Sequence, residues 1–479
     1  MTTLPAKSIV SNSFDHHADN SSRPRVVHSG QVSDKAAGAV TVVYHRIDEL
    51  RLDPKNPRAH SARQTRQIAR SIEAFGFNCP VLVDATLKVI AGHGRVLAAQ
   101  LLNWNEVPTI CLSHLSEAQA WAYMIADNRL TETSTWDENL LAEQLRDLAE
   151  LDLDFSLEAT GFEIGEIDLR IEQLNADPEG GPDAADDLSA LSSGPPVSRP
   201  GDLWLLRGSR VYCGSALDPS AYATLLDGEC AEVVFTDPPY NVRINGNVSG
   251  HGTVQHREFA MASGEMTEAE FTGFLTKAFS LFARNSVEGS LHFVRMDWRH
   301  LSEMLAAGKA TYTEVMNLCV WAKDNAGMGS LYRSQHELIF VFKNGRAKHR
   351  NNVQLGRFGR NRTNVWRYPS ARSLSRSGDE GNLLAMHPTV KPVAMIADAI
   401  MDRTARRDIV LDGFLGSGSI VIAAERTARR CYGFELDPLY VDTIVRRWQA
   451  FTRDSALHAA SGRSFDQMEA EVEASGERQ

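Results

Sequence analysis

Cysteine is sparse in this chain of 479 residues: positions 79, 111, 213, 230, 319 and 431 form neither a Cys-x-x-Cys pair nor a His–Cys cluster. That pattern excludes a disulfide framework and a zinc site, so no metal is expected, and it reads as reduced thiols in a cytoplasmic protein. Runs of roughly 18 apolar residues are also missing, which excludes a membrane-spanning helix. The first residues lack the apolar core of a signal peptide. Basic charge is in short supply: 50 Lys and Arg stand against 61 Asp and Glu, a net charge of −11. A protein coated in basic residues is thereby excluded, though a local basic surface is not. The phosphate-loop signature Gly-x-x-x-x-Gly-Lys-Ser/Thr is absent as well. What remains is an ordinary globular composition, 43% hydrophobic and 23% charged, long enough for two or three domains.

The chain is organised around Thr236-Asp237-Pro238-Pro239-Tyr240. Val233-Val234-Phe235 before it reads as a buried parallel strand. Such a strand delivers a carboxylate, a stiff turn and an aromatic ring to the C-terminal edge of a sheet, where open α/β sheets bind their ligands. Pro238 and Pro239 fix φ and lack backbone donors. Asp237 and the Pro238 carbonyl can accept the two N–H bonds of an exocyclic nucleobase amine, leaving its lone pair aimed at an electrophile. Tyr240 can stack on the base, which must be flipped from a duplex to be reached.

A second turn lies downstream. Asp408 to Leu411 read as a strand, followed by Asp412-Gly413-Phe414-Leu415-Gly416-Ser417-Gly418-Ser419 and a helix. The next strand, Cys431 to Phe434, ends in Glu435, 23 positions after Asp412. An acid at that spacing suits two ribose hydroxyls. The turn holds no Lys and begins with an acid, which favours a cationic ligand without phosphates. S-adenosylmethionine fits, with Asp412 near its ammonium, Gly416 and Gly418 allowing close backbone approach, and Phe414 walling the adenine or the donor methyl, or packing in the core.

These motifs resemble those of amino-type DNA methyltransferases of the β class over about residues 201–455. Asp-Pro-Pro-Tyr resembles the family's catalytic turn, and Asp-Gly-Phe-Leu-Gly-Ser-Gly-Ser its cofactor motif, with Gly413 and Ser419 as departures. His387-Pro388-Thr389-Val390-Lys391-Pro392 is similar to its second cofactor-side motif, so the resemblance implies that Thr389 and Lys391 also serve the cofactor. It further implies adenine N6 as the target, with cytosine N4 as the alternative, and no covalent enzyme intermediate. The expected fold is α/β, a Rossmann-like methyltransferase sheet, parallel and in permuted motif order, with helices on both faces.

Between the two turns the composition shifts. Residues 343–376 contain ten Lys or Arg and no Asp or Glu. Arg346, Lys348, Arg350, Arg357, Arg360, Arg362 and Arg367 are the expected contacts to duplex DNA, within a target-recognition segment spanning 343–386. Residues 241–265 are expected to form a loop over the base.

The N-terminal part resembles the ParB/sulfiredoxin-type domain over about residues 42–130, a small α+β module. Its Gly92-His93-Gly94-Arg95 loop lies ahead of a helix read as Val96 to Leu102. The resemblance implies a nucleotide- or DNA-contacting loop; a structural helix cap with an exposed Arg is the alternative. The loop departs from the Gly-Glu-Arg-Arg of partition proteins and lacks the sulfiredoxin Cys. The boundaries expected are a disordered leader at 1–40, this domain at 41–135, a helical extension closing it at 136–175 and a linker at 176–200. The methyltransferase domain follows at 201–455, then a frayed acidic tail at 456–479. The expected partner is double-stranded DNA; a homodimer and a nucleotide at the N-terminal domain stay open. Two other readings are a ParB-like DNA-binding or clamp protein with a degenerate methylase half, and transfer to RNA or a protein glutamine.

Overall fold

The structure is a computed structural model that describes residues 26–27, 41–151, 153–174, 184–186, 195–241, 264–324, 326, 331–354, 362–369 and 391–476. Most of the leader, the loop after Asn241, much of the 176–200 linker, Arg357, Arg360 and Thr389 lie outside the described residues. The chain divides into two compact units, Met1–Trp136 with Asp154–Gly161, and Asp137–Leu153 with Phe162–Gln479.

In the first unit a mixed sheet combines β1 (Val26–Val27), β2 (Val42–Arg46), β3 (Val81–Val83), β4 (Val89–Ala91) and β5 (Glu106–Cys111), in the order β1-β2-β5-β3-β4. Three helices accompany it: α1 (Ala62–Phe75), α2 (His93–Leu101) and α3 (Glu117–Glu132). Ser61 starts α1 by accepting the Gln64 N–H, and Gly76, at φ 81°, ends it. Helix α2 begins earlier than expected. Gly92 takes a left-handed conformation at its N-cap, and His93, Gly94 and Arg95 form its first turn. Arg95 is half-buried and donates to the Pro80 carbonyl at 3.4 Å, so the expectation of an exposed cation does not hold. His93 is buried, accepts the Asp53 N–H at 3.3 Å, and has its pKa lowered by burial. The reading from sequence had not placed α3, which opens on a Ser116–Gln119 capping box.

The second unit contains α4 (Glu138–Glu150) and α5 (Ile164–Leu174), then β6 (Leu203–Leu206), β7 (Ser209–Cys213), α6 (Pro219–Leu226), β8 (Ala231–Thr236), α7 (Glu268–Arg284), β9 (Ser286–Met296), α8 (Leu301–Thr311), β10 (Glu314–Ala322), β11 (His336–Lys343) and β12 (Val365–Arg367). It closes with α9 (Val393–Met401), β13 (Ile409–Asp412), α10 (Ser419–Arg426), β14 (Arg430–Glu435), α11 (Pro438–Thr452), β15 (Leu457–His458) and α12 (Phe465–Gly476). Among the described residues the strands form one sheet in the order β12-β10-β11-β9-β8-β13-β14-β7-β6-β15.

The centre of that sheet, β9-β8-β13-β14-β7, is parallel throughout. Period-two alternation feeds two cores. Val233, Phe235, Val410 and Cys431 face α9, α10 and α11, whereas Val234, Leu411, Tyr432 and Phe434 face α6, α7 and α8. The sheet is mixed rather than parallel as expected. Among the described residues no helix separates β10 from β11; the two pair antiparallel, and β11 runs antiparallel to β9.

Two boundaries differ from the reading by sequence. The residues after 455 are not frayed up to 476. β15 pairs with β6, and Phe465 on α12 is fully buried with its ring 5.1 Å from that of Trp204. Phe465, Met468 and Val472 recur at helical spacing, a signal that the acidic residues between them obscured. The helical stretch 136–175 does not simply extend the first domain, because α4 and α5 belong to the second unit. Asp168 on α5, buried, accepts two bonds from the buried guanidinium of Arg429 at 2.6 and 3.1 Å, and Arg406 lies 3.2 Å away. Removing one partner of a buried ion pair strands the other. Asp168→Ala is therefore expected to cost the second unit about 3–5 kcal/mol in urea unfolding. A loss below about 1 kcal/mol would show that α5 is not anchored this way.

Candidate active site

The catalytic-turn and cofactor-turn residues emerge from neighbouring parallel strands. Val410 and Leu411 of β13 pair with Val233 and Val234 of β8, so both strands end together. The buried Thr236 hydroxyl then donates to Asp412 Oδ1 at 2.6 Å and accepts the Gly413 N–H at 3.3 Å. Residues 237–240 and 412–418 thus leave the sheet from one edge, side by side. On the far side of β13, Glu435 ends β14 and accepts N–H bonds from Gly416 at 2.8 Å and Asp437 at 3.0 Å.

Around Asp237 lies a cluster of charges that the sequence reading had not assembled. Arg295, on β9 and wholly buried, donates to Asp237 at 3.3 Å and pairs with Glu337 of β11. Lys323 pairs with the same Glu337, and the Lys391 ammonium pairs with Asp237. Tyr240 donates its hydroxyl to Asp237 Oδ1 at 2.5 Å, with Glu337 3.3 Å away. Arg295 also lies 5.2 Å from the Trp321 ring. Burial alone would raise the Asp237 carboxyl, but Arg295 and Lys391 outweigh it and hold it at about 2. Burial lowers Lys391 to about 8 against the pull of Asp237, and burial together with Asp237 pushes Tyr240 well up. The turn therefore carries a fixed anion with a neutral phenol. A signal for the cluster was present: Arg295 interrupts Leu291 to Met296, and Glu337 sits at the head of an apolar strand. A charge inside a buried run requires a partner.

At the glycine-rich turn, Gly416 and Gly418 adopt φ of 54° and 75°, and a Cβ at Gly418 would fall 2.9 Å from Ile444. A Cβ at Gly413 would fall 2.4 Å from Phe282, which accounts for glycine at that position. Phe414 is half-buried and its ring contacts those of Phe274 and Phe282. Arg447, unremarked in the sequence, is buried and donates to Ser417 O at 2.9 Å and Ser419 Oγ at 3.1 Å, holding the turn. Burial raises Asp412 and Glu435 to about 7 each. A buried carboxyl, Asp412, and a partly buried one, Glu435, beside a glycine-rich turn, with no ion-pair partner among the described residues, are the donor set for a cationic ligand.

Two groups of sequence-predicted residues lie elsewhere. Lys391, expected on the cofactor side, contacts Asp237 instead. The basic segment is divided. Because β11 runs antiparallel to β9, Asn344 bonds Gly289, five positions before the Val294 that pairs with Thr236. At about 3.3 Å per residue, the chain there is roughly 16 Å from the catalytic edge. Arg346, Lys348 and Arg350 are exposed on that opposite edge, and Arg350 approaches Asp408 at the start of β13. Arg362 is held by Asp398 and Asp402 of the α9 region at 2.5 and 2.8 Å, so it anchors the fold rather than presenting a free cation. Arg367 alone of the described predicted contacts is exposed at the catalytic edge, opposite Ala322.

Comparison with known proteins finds three family matches along the chain. Residues 231–446 match the DNA methylase family, 31–128 the ParB N-terminal domain, and 139–200 the ParB-methyltransferase HTH domain. The chain carries a DNA methylase domain of the N6/N4 type behind ParB-type domains. That methylase family is S-adenosylmethionine-dependent. The ParB-like nuclease domain-containing protein YnaK of Escherichia coli (strain K12) is 45% identical over 78 residues, 16% of this chain and 90% of YnaK. The type II methyltransferase M2.MboI of Moraxella bovis is 22% identical over 256 residues, 50% of this chain and 88% of that protein. The solved PvuII DNA methyltransferase (cytosine-N4-specific) aligns at a TM-score of 0.39 with 15% identity, covering 59% of this chain and 95% of its own. The HTH segment was not recognised in the sequence, where it was read as helical extension and linker. No described helix is long and apolar enough to cross a membrane.

A pH dependence follows from the raised carboxyls. Asp412 and Glu435 hold their protons up to about 7, above the ordinary carboxylate value of about 4. Their contribution to stability is present below pH 4 and lost as pH rises to 7. The loss across that window is at most about 4 kcal/mol per carboxyl, and Asp412→Asn is expected to remove roughly half of the total. Equal slopes for wild type and variant in urea titrations at pH 5 and 8 would contradict the burial account.

Proposed function

We propose that this DNA methyltransferase acts at specific sites in duplex DNA, with adenine N6 as its target. The observation that carries the reading is the adjacency of the Asp237–Tyr240 turn and the Asp412–Gly418 turn at the ends of β8 and β13. S-adenosylmethionine, when bound, supplies a sulfonium methyl to the target amine. Asp412 and Glu435 are the groups for its ammonium and its ribose hydroxyls, and Gly416 and Gly418 allow the backbone approach. Ser417 lines the same turn.

Asp237 is the acceptor for the exocyclic N–H, with the Pro238 carbonyl taking the second, and Pro239 stiffens the turn. A carboxylate kept ionised by Arg295 needs no reorganisation when the amine arrives, which favours transfer through prepaid positioning. Tyr240 stacks on the flipped base. Its hydroxyl is bonded to Asp237, so base entry exchanges that bond for one from the amine. The duplex approaches the edge that carries Arg367 and the exposed Trp298, rather than the opposite edge with Arg346, Lys348 and Arg350. The N-terminal unit, with its Gly92–Arg95 turn, is an accessory module for nucleotide or DNA. Cytosine N4 is the alternative target, and the Asp at position 237 is the feature that favours adenine.

Two expected outcomes test this. Asp237→Ala should lower methyl transfer to duplex DNA by about 10³-fold or more while leaving S-adenosylmethionine affinity within a few fold. Full activity in that variant would refute the assignment. Nucleoside chromatography of DNA from cells expressing the chain should show N6-methyladenine; N4-methylcytosine would move the target to cytosine.

A further inference from the structure

Methylation of a neutral amine by a sulfonium leaves one proton in surplus: a N–C bond forms, an S–C bond breaks with its electron pair left on sulfur, and the nitrogen must shed one of its hydrogens. Asp237 is a poor final acceptor, since the buried Arg295 guanidinium beside it favours its anionic form. We infer that Lys391, lying directly behind Asp237, receives this proton through the Asp237 carboxylate, and that it must be a neutral amine when transfer begins.

The geometry carries this. The Lys391 ammonium pairs with Asp237 from the side opposite Tyr240's bond: Tyr240 and Lys391 use different carboxylate oxygens, Oδ1 and Oδ2. Lys391 is only 8% exposed, so its charge is not masked by solvent. The charged groups around it are Asp237 beyond β8, Arg295 on β9 and Asp412 on β13. Glu337 and Lys323 adjoin the same cluster through Arg295. With Arg295 and Lys391 both protonated, two cations bear directly on Asp237, the one carboxylate placed to accept from the amine. Adding a sulfonium and a developing cation on the amine beside that excess is unfavourable. A guanidinium is not deprotonated in proteins. Lys391, already displaced to about 8 by burial, is the member that can. It acts through Asp237 and is in that sense a positioning residue. The inference rests on the proposed methyl transfer.

The test uses the full chain and has two readouts. First, calorimetric titration with S-adenosylmethionine at pH 8 in buffers of different ionisation enthalpy counts protons released on binding. Wild type should release roughly half a proton more than Lys391→Arg, because Asp412 and Glu435 contribute equally to both. Second, single-turnover methylation of duplex DNA is followed from pH 6.5 to 9.5. Wild type should accelerate through about pH 8, whereas Lys391→Arg should be about tenfold slower or more, without that rise. Lys391→Gln, which can still bond Asp237 but carries no proton to lose, should behave like Lys391→Arg while binding S-adenosylmethionine. Equal proton release, or wild-type rate and pH profile in both variants, would overturn the inference. Absence of methyl transfer in wild type would instead remove the proposed function, and the proton count would still decide whether Lys391 discharges.

Discussion

One hydrogen bond sets the arrangement of the catalytic half. Thr236 closes β8 and Asp412 closes β13, and the 2.6 Å bond between their side chains ties the two loops that follow to a common origin. Both groups are buried, so the bond is made without competition from water. Everything with chemistry then fans out from that pair. Asp237 and Tyr240 turn toward Arg295 and Glu337, while Gly413 to Gly418 turn toward Glu435. In parallel packing, strands in one sheet end at one edge, so motifs 176 positions apart in sequence become neighbours. The order in which the chain visits them is irrelevant to the geometry.

Electrostatics divide the edge into two halves of opposite character. Around Asp237, cations outnumber anions and the carboxyl is driven far down. Around Asp412 and Glu435, burial outweighs the pull of Lys391 on Asp412 and drives the carboxyls up. The first half is suited to holding an acceptor fixed and ionised; the second is suited to receiving positive charge. A sulfonium donor between them finds anionic groups on its own side and a fixed acceptor for the amine on the other.

Much of this was legible in the residues. The strand–turn logic of Val233 to Tyr240 and Asp408 to Ser419 required only an apolar run ending in special turn chemistry, and both turns are where that pattern implies. Less legible were features decided by long-range pairing. The basic run 343–376 looked like one DNA-facing surface because charge is visible in sequence and strand direction is not. The antiparallel pairing of β11 with β10 and β9 sends residues 344–350 to the opposite edge, and the acids of α9 capture Arg362. Lys391 looked like part of a cofactor motif, yet its ammonium reaches Asp237. Arg295 and Glu337 were visible only as anomalies, charges where the pattern called for apolar residues. The acidic tail was misread because its few apolar residues, Phe465 foremost, are outnumbered by exposed charges.

The central claim is that the two turns present donor and acceptor to one another across a short gap. A crystal structure of the full chain with S-adenosylmethionine bound tests it most directly. The account predicts the transferable methyl carbon within about 5 Å of the Asp237 carboxylate, leaving space for one amine nitrogen between them at near-attack distance. A donor seated against Asp412 and Glu435 with its methyl directed away from Asp237, or more than about 10 Å from it, would contradict the account.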